Sequence, residues 1–396
     1  MVFVFHPGIQ HSHQLSWALN DIGALDMYIS GIPVSNGGNR SLSEKFMLHN
    51  RFALIPINKK FHFILFSIFR KLIGIVLGFK IEQRINLFFD IFFDFLMAIY
   101  VSFRRPAIVI GYENSSYYTF KQVKKYGGRC VLDAASLHYS NIINNGSKNF
   151  VSKLVESRKS KEHSVADLIL CCSKYARQTY LKSGIAEGKL QSIALGVKST
   201  AISKHEFSDV FELKDELSIV YAGSISISKG VDVLIEAIKL SMSSDDCKIK
   251  LTLVGRVLEK SLLDEIECND WIFHHNYVAQ IELFEIMRAN DISVLFSRGD
   301  SFGMVVPEAM SCGCPVIVST CVGAKEIIEE FPDAGWILDF NVETLSECLS
   351  NIFINRKLLP VRKRAALKAA SVYSWEKYRL NVQIIIGRYL HLWNLI

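Results

Sequence analysis

Short apolar runs, each followed by a loop and a helical pattern, recur along most of the chain. They stand at 1–5, 107–110, 130–132, 168–172 and 190–194, and again at 218–222, 250–254, 271–274, 292–295 and 316–319. Regular alternation of short strands with helices is typical of a parallel sheet covered by helices on both faces. Two consecutive sets of this alternation predict an α/β protein with two doubly wound, Rossmann-like domains.

The length of the chain also favours two domains. Its 396 residues are too many for one compact core. A polar, charged segment separates the two sets of strands, so we predict an N-terminal domain at 1–205 and a C-terminal domain at 206–375. An apolar helix at about 375–392 follows the second sheet, and we expect 376–396 to pack back on the first domain.

Charge and cysteine content narrow the functional classes. The formal net charge of +6 fits attraction to phosphates or lipid headgroups. It is too small to indicate nucleic acid, and no nucleic-acid-binding motif is present. The nine cysteines lack paired zinc spacing and are interpreted as small buried side chains in a reducing compartment. The first run has no basic residue ahead of it, so we interpret it as a strand rather than a secretion signal and expect a cytoplasmic protein.

Two segments, 61–79 and 85–103, are rich in Phe, Ile and Leu but carry internal charges. These charges argue against membrane-spanning helices. One interpretation is a pair of amphipathic helices that cover the first sheet. A second, compatible interpretation is that the region 59–105 lies on the inner face of the cytoplasmic membrane and turns four cations towards lipid phosphates: Lys59, Lys60, Arg70 and Lys71.

The segment 300–316 reads D-S-F-G-M-V-V-P-E-A-M-S-C-G-C-P-V and follows a predicted strand. Pro307 suits the first turn of a helix, and Gly303 permits close approach of the backbone to a ligand. The amides of 303–306 would then point outwards as a phosphate site. Asp300 and Glu308 beside it would accept hydrogen bonds from sugar hydroxyls. The alternative is an ordinary helix start with acidic residues favoured by the dipole.

The segment 219–237 is a predicted strand, a Gly/Ser loop and an amphipathic helix with Lys229 near its start. A lysine at this position opposes the helix dipole unless an anion is also bound. We interpret Lys229 as a phosphate ligand, and a solvated lysine on a first helical turn is the alternative.

Together these segments resemble the family-4 retaining glycosyltransferases, which have the GT-B fold. One family loop reads G-R-x-x-x-x-K-G, and Gly223 with Lys229-Gly230 matches it. A second family segment reads E-x-F-G-x-x-x-x-E-A-M-A-x-G-x-P-V and is matched by 300–316. Weaker matches stand at 276–283, 166–173 and 195–197. The resemblance implies two facing domains, a cleft between them and a nucleotide-sugar donor held by the second domain.

The resemblance also implies residue roles. Lys229 would hold the donor phosphates, Glu308 the ribose hydroxyls and Asp300 hydroxyls of the transferred sugar. His138, in a D-x-x-x-x-H loop that begins at Asp133, would lie near the reacting sugar, the alternative being a surface histidine. Catalytic candidates are therefore His138, Lys229 and Asp300. The donor-binding candidates form a larger set: Gly223, Ser224, Lys229, Val278, Ser301, Phe302, Gly303, Met304, Val305 and Glu308.

The acceptor is expected on the N-terminal domain, where the resemblance is loosest. Gly8, His11 and His13 follow the first strand and are the candidates. Solvent-exposed histidines without a role are the alternative.

Two departures from the family pattern concern the donor site. The usual arginine after the loop glycine is Ser224, and the usual first glutamate is Asp300. Either another cation, such as Arg256 or Arg298, reaches the phosphates or donor binding is weaker.

The predicted activity is transfer of a sugar, with retention, from a nucleotide sugar to a saccharide or lipid-linked saccharide. By resemblance to the family, UDP is the expected nucleotide, with guanine and adenine nucleotides as alternatives, and no metal is expected to be required. The expected pathway is bacterial surface polysaccharide synthesis (O-antigen, capsule or exopolysaccharide). One alternative is a UDP-sugar 2-epimerase, which acts without an acceptor. Another, kept open by Ser224, is an inactive module that docks on a membrane or partner. The first strand is not followed by G-x-G-x-x-G, which argues against a Rossmann dehydrogenase.

Overall fold

A computed structural model describes residues 1–34, 53–63, 79–141, 150–198, 215–243 and 247–395. The chain forms two compact units. Unit 1 comprises Met1–Cys171, Thr179–Ile193 and Tyr378–Ile396, and unit 2 comprises Cys172–Gln178 and Ala194–Lys377. The predicted domain boundary at 205/206 lies outside the described residues.

Unit 1 is built on a seven-stranded parallel sheet. Its strands are β1 (Val2–His6), β2 (Leu25–Ser30), β3 (Lys60–His62), β4 (Ile108–Tyr112), β5 (Arg129–Ala134), β6 (Leu168–Cys171) and β7 (Leu190–Ser192). Their order in the sheet is β3-β2-β1-β4-β5-β6-β7. The order reverses between β1 and β4, so a crevice for ligands is expected outside the carboxyl ends of these two strands.

Helices connect these strands. They are α1 (Ser12–Asp21), α2 (Phe79–Arg104), α3 (Tyr117–Lys125), α4 (Phe150–Val165) and α5 (Lys174–Lys182). Every residue of β1 and β4 is buried, as the strands of a sheet covered on both faces must be.

Unit 2 contains a six-stranded parallel sheet. Its strands are β8 (Leu217–Ala222), β9 (Ile249–Val254), β10 (Ile272–His275), β11 (Ile292–Leu295), β12 (Val316–Ser319) and β13 (Gly335–Leu338), in the order β10-β9-β8-β11-β12-β13. Its helices are α6 (Val231–Ser241), α7 (Lys260–Glu267), α8 (Gln280–Ala289), α9 (Val305–Ser311), α10 (Lys325–Glu330), α11 (Val342–Ile354) and α12 (Leu359–Val372). The prediction of two Rossmann-like α/β domains is thereby confirmed.

The last helix is α13 (Trp375–Leu392), which begins and ends where the sequence pattern predicted. Most of α13 belongs to unit 1. There Arg379 donates to Gln14 Oε1 at 2.7 Å and its guanidinium lies 3.9 Å from the centre of the Trp17 ring, so α13 packs on α1.

The apolar segment predicted as a helix over 61–79 is partly wrong. Phe61 and His62 belong to the edge strand β3, which pairs in parallel with β2. The backbone hydrogen bonds of a sheet edge outweigh helical preference in so short a segment. Residues 64–78 lie outside the described residues.

The second apolar segment is α2, and it is amphipathic. By length and composition, Ile85–Arg104 is the one helix among the described residues that could cross a membrane, although a third of it is buried. Asp94 within it is fully buried, accepts hydrogen bonds from the backbone N–H groups of Tyr118 and Thr119, and forms an ion pair with Arg158. The internal charge therefore faces the protein and caps α3.

The cysteines are free thiols, and six of the nine are buried, including Cys171 and Cys314. This agrees with their interpretation as small core side chains. Cys268 is the exposed one.

Candidate functional site

The two segments of unit 2 that the sequence singled out meet at the carboxyl edge of its sheet. Lys229 ends a short 3-10 helix that follows β8, and Asp300 lies in the loop after β11. Lys229 Nζ donates to Asp300 Oδ2 at 2.6 Å. Both side chains retain solvent contact, 31% for Lys229 and 17% for Asp300. The strand order reverses between β8 and β11, so this ion pair stands where a doubly wound sheet binds ligands.

The loop on the β8 side is held from within. Tyr221, the last residue but one of β8, donates its hydroxyl to the carbonyl of Ser224 at 2.7 Å. Burial raises the pKa of Tyr221, and the negative charge of Asp300 adds to the shift. The phenol is therefore protonated at all physiological pH values and can serve as a lasting donor to this loop.

The loop on the β11 side turns sharply before α9. Asp300 Oδ1 accepts from the amide of Phe302 at 3.2 Å, which closes a side-chain turn. Gly303 has φ +87°, and a Cβ there would lie 2.6 Å from Leu295 Cδ2, so glycine is required. The sequence predicted that the backbone amides of 303–306 all point outwards. The amide of Val306 instead donates to the carbonyl of Gly303 at 2.9 Å. The helix starts with a tight turn, which uses this amide internally, so the prediction was wrong for Val306.

The remaining donor candidates occupy different environments. Phe302 is buried in the core, so only its backbone can face a ligand. Glu308 is half-buried on the first turn of α9, and Val278 is half-buried in the loop between β10 and α8. Ser224 is exposed. The structure thus gathers most of the candidates at one sheet edge, and their roles stay predictions.

Arg298, which the sequence suggested as a second cation for the phosphates, is bound to other groups of the protein. Its guanidinium donates to both carboxylate oxygens of Asp232, at 2.8 and 2.7 Å, and to the carbonyl of Ile227. It also stacks 4.8 Å from the centre of the Phe340 ring. Because its donors are engaged in supporting the loop that carries Lys229, Arg298 acts here as a structural cation.

Charged groups of unit 1 also converge, at the carboxyl edge of the first sheet. His11 Nε2 lies 2.9 Å from Asp133 Oδ2, and both side chains are buried. The Asp133 of the predicted D-x-x-x-x-H loop is therefore the partner of His11 rather than of His138. Tyr112 is also buried there, and burial together with the negative charge of Asp133 raises the pKa of its hydroxyl.

The two histidines among the acceptor-side candidates are buried, which argues against the alternative that they are solvent-exposed histidines without a role. His11 is 6% exposed and His13 is 3% exposed, so neither is a solvated surface histidine. His13 lies in α1 rather than on the loop. The Gly8 amide donates to His6 Nδ1 at 2.7 Å, which closes the loop after β1.

His138 is buried too, with 4% of its surface exposed. Its Nδ1 accepts from the amide of Ser140 at 3.3 Å and lies 2.8 Å from the Ser140 hydroxyl. Burial lowers its pKa to about 4, and the charges of His163 and Lys159 act in the same direction. His138 is therefore neutral at pH 7, with its ring proton on Nε2.

The sequence analysis missed the ionic cluster beside His138. Glu113, directly after β4, accepts from the Ser136 hydroxyl at 2.5 Å and lies 3.2 Å from Lys159 Nζ and 3.5 Å from His163 Nε2. Burial alone would raise the pKa of Glu113, but the charge of Lys159 and the polar contacts of His163 and Ser136 lower it to about 2. The position of Glu113 directly after a buried strand was the sequence feature that could have indicated a functional role.

Within the residues that the structure describes, no group of three or more His, Cys, Asp or Glu side chains could hold a metal ion.

Part of the second half of the chain is similar to a known protein family. Residues 203–370 match the family model described as "Glycosyl transferases group 1". A 41.2 kDa uncharacterised protein of the cps region of Klebsiella pneumoniae is 26% identical over 170 residues, 41% of this chain. The N,N'-diacetylbacillosaminyl-diphospho-undecaprenol alpha-1,3-N-acetylgalactosaminyltransferase of Campylobacter jejuni is 28% identical over 224 residues, 53% of this chain. The matches cover 46% and 56% of these relatives, so the chain matches about half the length of each.

Solved structures are similar along the whole chain. HepE from Anabaena, in complex with UDP, aligns with a TM-score of 0.61 and 14% identity, over 98% of this chain and 99% of HepE. At this identity the likeness shows the fold, which is that of the GT-B glycosyltransferases. The match to the family model is confined to residues 203–370, less than half of the chain.

Proposed function

We propose that the protein is a glycosyltransferase that moves a sugar from a UDP-sugar to a saccharide or lipid-linked saccharide, with retention of the anomeric configuration. We place the reaction in the synthesis of a bacterial surface polysaccharide. The cps region of the Klebsiella relative and the printed activity of the Campylobacter relative support this class of product. The UDP in the HepE complex supports the choice of nucleotide.

The observation that carries the proposal is the Lys229–Asp300 pair at the carboxyl edge of the second sheet. The lysine and the carboxylate lie 2.6 Å apart and both keep some contact with solvent. Each can therefore give up its contact with the other and bind a group of the ligand instead. The ammonium then binds the diphosphate, and the carboxylate accepts from hydroxyls of the sugar. Glu308 on the next helix supplies a second carboxylate, for the ribose.

The chemistry that we propose needs little from the protein beyond positioning and charge. The bond between the anomeric carbon and the diphosphate breaks, and a bond to the acceptor oxygen forms on the same face. The leaving phosphate oxygen takes the proton of the acceptor hydroxyl. Lys229 stabilises the negative charge that grows on the diphosphate as it leaves.

We further propose that unit 1 rests on the inner membrane surface through α2. Its outer face carries an apolar stripe of four phenylalanines and one isoleucine, whose members are between 43% and 82% exposed: Phe88, Phe92, Phe95, Ile99 and Phe103. Exposed cations, Arg104 and Arg105, stand at the end of this helix. Such a helix lies in the interface rather than across it. The buried ion pair between Asp94 and Arg158 on the other face of α2 favours this orientation. If α2 crossed the membrane, Asp94 would be separated from Arg158.

Product analysis tests the proposed reaction. Purified protein is incubated with UDP-sugars, with and without a panel of saccharide and undecaprenyl-diphosphate-linked saccharide acceptors, and products are identified by mass spectrometry and by the anomeric coupling in NMR spectra. We expect acceptor-dependent release of UDP and an α-linked product from an α-linked donor. Conversion of the UDP-sugar without any acceptor would instead indicate an epimerase, and an inverted product would contradict retention.

Flotation with liposomes tests the membrane proposal. The protein should float with vesicles that contain anionic phospholipid at low salt. A variant with Phe92→Ser and Phe95→Ser should float less, whereas Phe273→Ser, an exposed phenylalanine of unit 2, should not change flotation. Wild-type protein that stays at the bottom of the gradient would contradict the proposal.

A further inference from the structure

We propose that Arg298 is a positioning residue for the donor site: it fixes the loop that carries Lys229 and acts on the diphosphate only through that lysine. This inference rests on the proposed function, because it needs Lys229 to bind the diphosphate of the donor. It gives Arg298 and its partner Asp232 an effect on donor binding although neither side chain touches the donor.

Arg298 and its neighbour Ser297 are hydrogen-bonded to the loop that carries Lys229. The Arg298 amide donates to the carbonyl of Ser228 at 3.2 Å. Its side-chain Nη1 donates to the carbonyl of Ile227. The Ser297 hydroxyl adds a third hydrogen bond, to the carbonyl of Ser228 at 3.3 Å. Three donors from the loop after β11 therefore hold the two residues that precede Lys229.

Asp232 extends this constraint to the helix that follows Lys229. It lies in the first turn of α6 and accepts from both terminal nitrogens of Arg298, at 2.8 and 2.7 Å. A bidentate pair of this kind fixes the orientation of the guanidinium as well as its distance. The chain on both sides of Lys229 is thus tied to the side chain of Arg298, and Lys229 Nζ lies 2.6 Å from Asp300 Oδ2.

The guanidinium of Arg298 lies on a stacked pair of aromatic rings. It is 4.8 Å from the centre of the Phe340 ring, which stacks in turn on Phe296 with 5.2 Å between the ring centres. Gly230, directly after Lys229, packs so closely there that a Cβ would lie 1.8 Å from the Phe296 carbonyl oxygen. An anchor that orders the lysine before the ligand arrives lowers the entropy that binding costs.

The same contacts argue against direct binding of the phosphates by Arg298. Lys229 gives up its hydrogen bond to Asp300 when it turns to a ligand. Arg298 would give up two hydrogen bonds to Asp232, one to the carbonyl of Ile227 and its stacking on an aromatic ring. The lysine therefore exchanges its partner for a phosphate more readily than the arginine does.

A double-mutant cycle tests whether Arg298 acts through Lys229. UDP and uridine are titrated calorimetrically into wild-type protein, Arg298→Gln, Lys229→Met and the double variant. We expect Arg298→Gln to weaken UDP binding about fivefold, the size of a typical coupling between residues of one network, and to leave uridine binding unchanged. In the Lys229→Met background the same change should cost nothing further, whereas a direct phosphate ligand would add its full loss there.

Asp232→Asn separates the two roles by the sign of its effect. It keeps the shape of the side chain but releases the guanidinium of Arg298. A positioning role predicts that UDP binding weakens about as much as in Arg298→Gln, whereas a phosphate ligand, once released, would bind UDP more tightly. Glu265→Gln, which removes the exposed partner of Lys239 on the same helix, is the matched control and should bind UDP as the wild type does.

Additive losses in the double variant, or tighter UDP binding by Asp232→Asn, would overturn the positioning role while the proposed function stands. Unchanged UDP binding by Arg298→Gln, or an equal loss of UDP and uridine affinity, would overturn it as well. If glutamine at 298 unfolds the protein, Arg298→Lys, which keeps the charge without the planar fork, takes its place and should weaken UDP binding in the same way. A wild type that binds none of UDP, GDP and ADP would overturn the proposed function and this inference with it.

Discussion

The carboxyl edges of the two sheets carry charged clusters of opposite character. In unit 1 the charges are buried: His11 with Asp133, and Glu113 with Lys159, have side chains less than 10% exposed. In unit 2 the Lys229–Asp300 pair keeps substantial contact with solvent. Both edges have the same position in a doubly wound sheet, so the difference lies in the side chains and not in the fold.

This difference teaches which ion pairs can exchange partners. A buried pair cannot open without leaving an uncompensated charge, so it contributes to order and strongly resists substitution. A pair that keeps partial contact with solvent contributes less to stability, because water can replace each partner. We therefore expect substitutions of buried pairs in unit 1 to change stability and substitutions of the exposed pair in unit 2 to change ligand binding.

The largest expected effect is a loss of stability when a buried ion pair of unit 1 is broken. Asp94→Ala removes the buried partner of Arg158 and the cap of α3, and should destabilise unit 1 by about 3 kcal/mol or more. Hydrogen–deuterium exchange of the amides of β4 and β5 measures the change. Asp21→Ala, at the exposed end of α1, is the control and should stay within about 0.5 kcal/mol of wild type. An Asp94→Ala protein as stable as the control would break the comparison.

The second prediction concerns unit 2. Lys229→Met should lower the rate of sugar transfer at least tenfold, because it removes a charge that stabilises the leaving diphosphate. Its effect on stability should stay below about 1 kcal/mol, since the pair is partly exposed. Steady-state kinetics and thermal unfolding measure the two quantities. Lys239→Met, on the surface of the same unit with Glu265 as its partner, should change neither, and unaltered turnover of Lys229→Met would remove that lysine from the site.

The third prediction concerns a pH dependence in unit 1. The pKa of His138 is about 4 in the folded protein and about 6.5 when unfolded. The unfolded chain therefore binds the proton first as pH falls from 6.5 towards 4, and this costs stability over that window, about 2 kcal/mol at pH 5. His138→Gln should narrow the difference between unfolding free energies at pH 7 and pH 5 by up to that amount. Identical pH profiles for variant and wild type would show that His138 is solvated.

The sequence predicted ten strands because each contains a short apolar run, and most of these runs, such as β1 and β8, are buried on both faces. It did not predict β2, β3 or β13. β2 contains Asp26, β3 is a three-residue edge strand with polar ends, and β13 begins with a glycine. Such strands form by pairing with a neighbour already in place, which a local pattern does not reveal.

The same distinction applies to the sites. The loops that bear Lys229 and Asp300 could be predicted because each is a contiguous segment. The partner of His11 could not, since Asp133 is 122 residues away and was interpreted as part of the His138 loop. The ion pair between Arg298 and Asp232 could not be predicted for the same reason, since the two residues are 66 positions apart. Side-chain partners across the sheet depend on tertiary packing, which residue types alone do not specify.

The most direct test of the central claim is nucleotide binding by wild-type protein and Lys229→Met, measured by isothermal titration calorimetry with UDP, GDP and ADP and without added metal. The wild type should bind the uridine nucleotide in preference to the others, and Lys229→Met should bind it at least tenfold more weakly while uridine affinity stays the same. Well-folded wild-type protein that binds none of the three would contradict the assignment of a donor site to the exposed edge of unit 2.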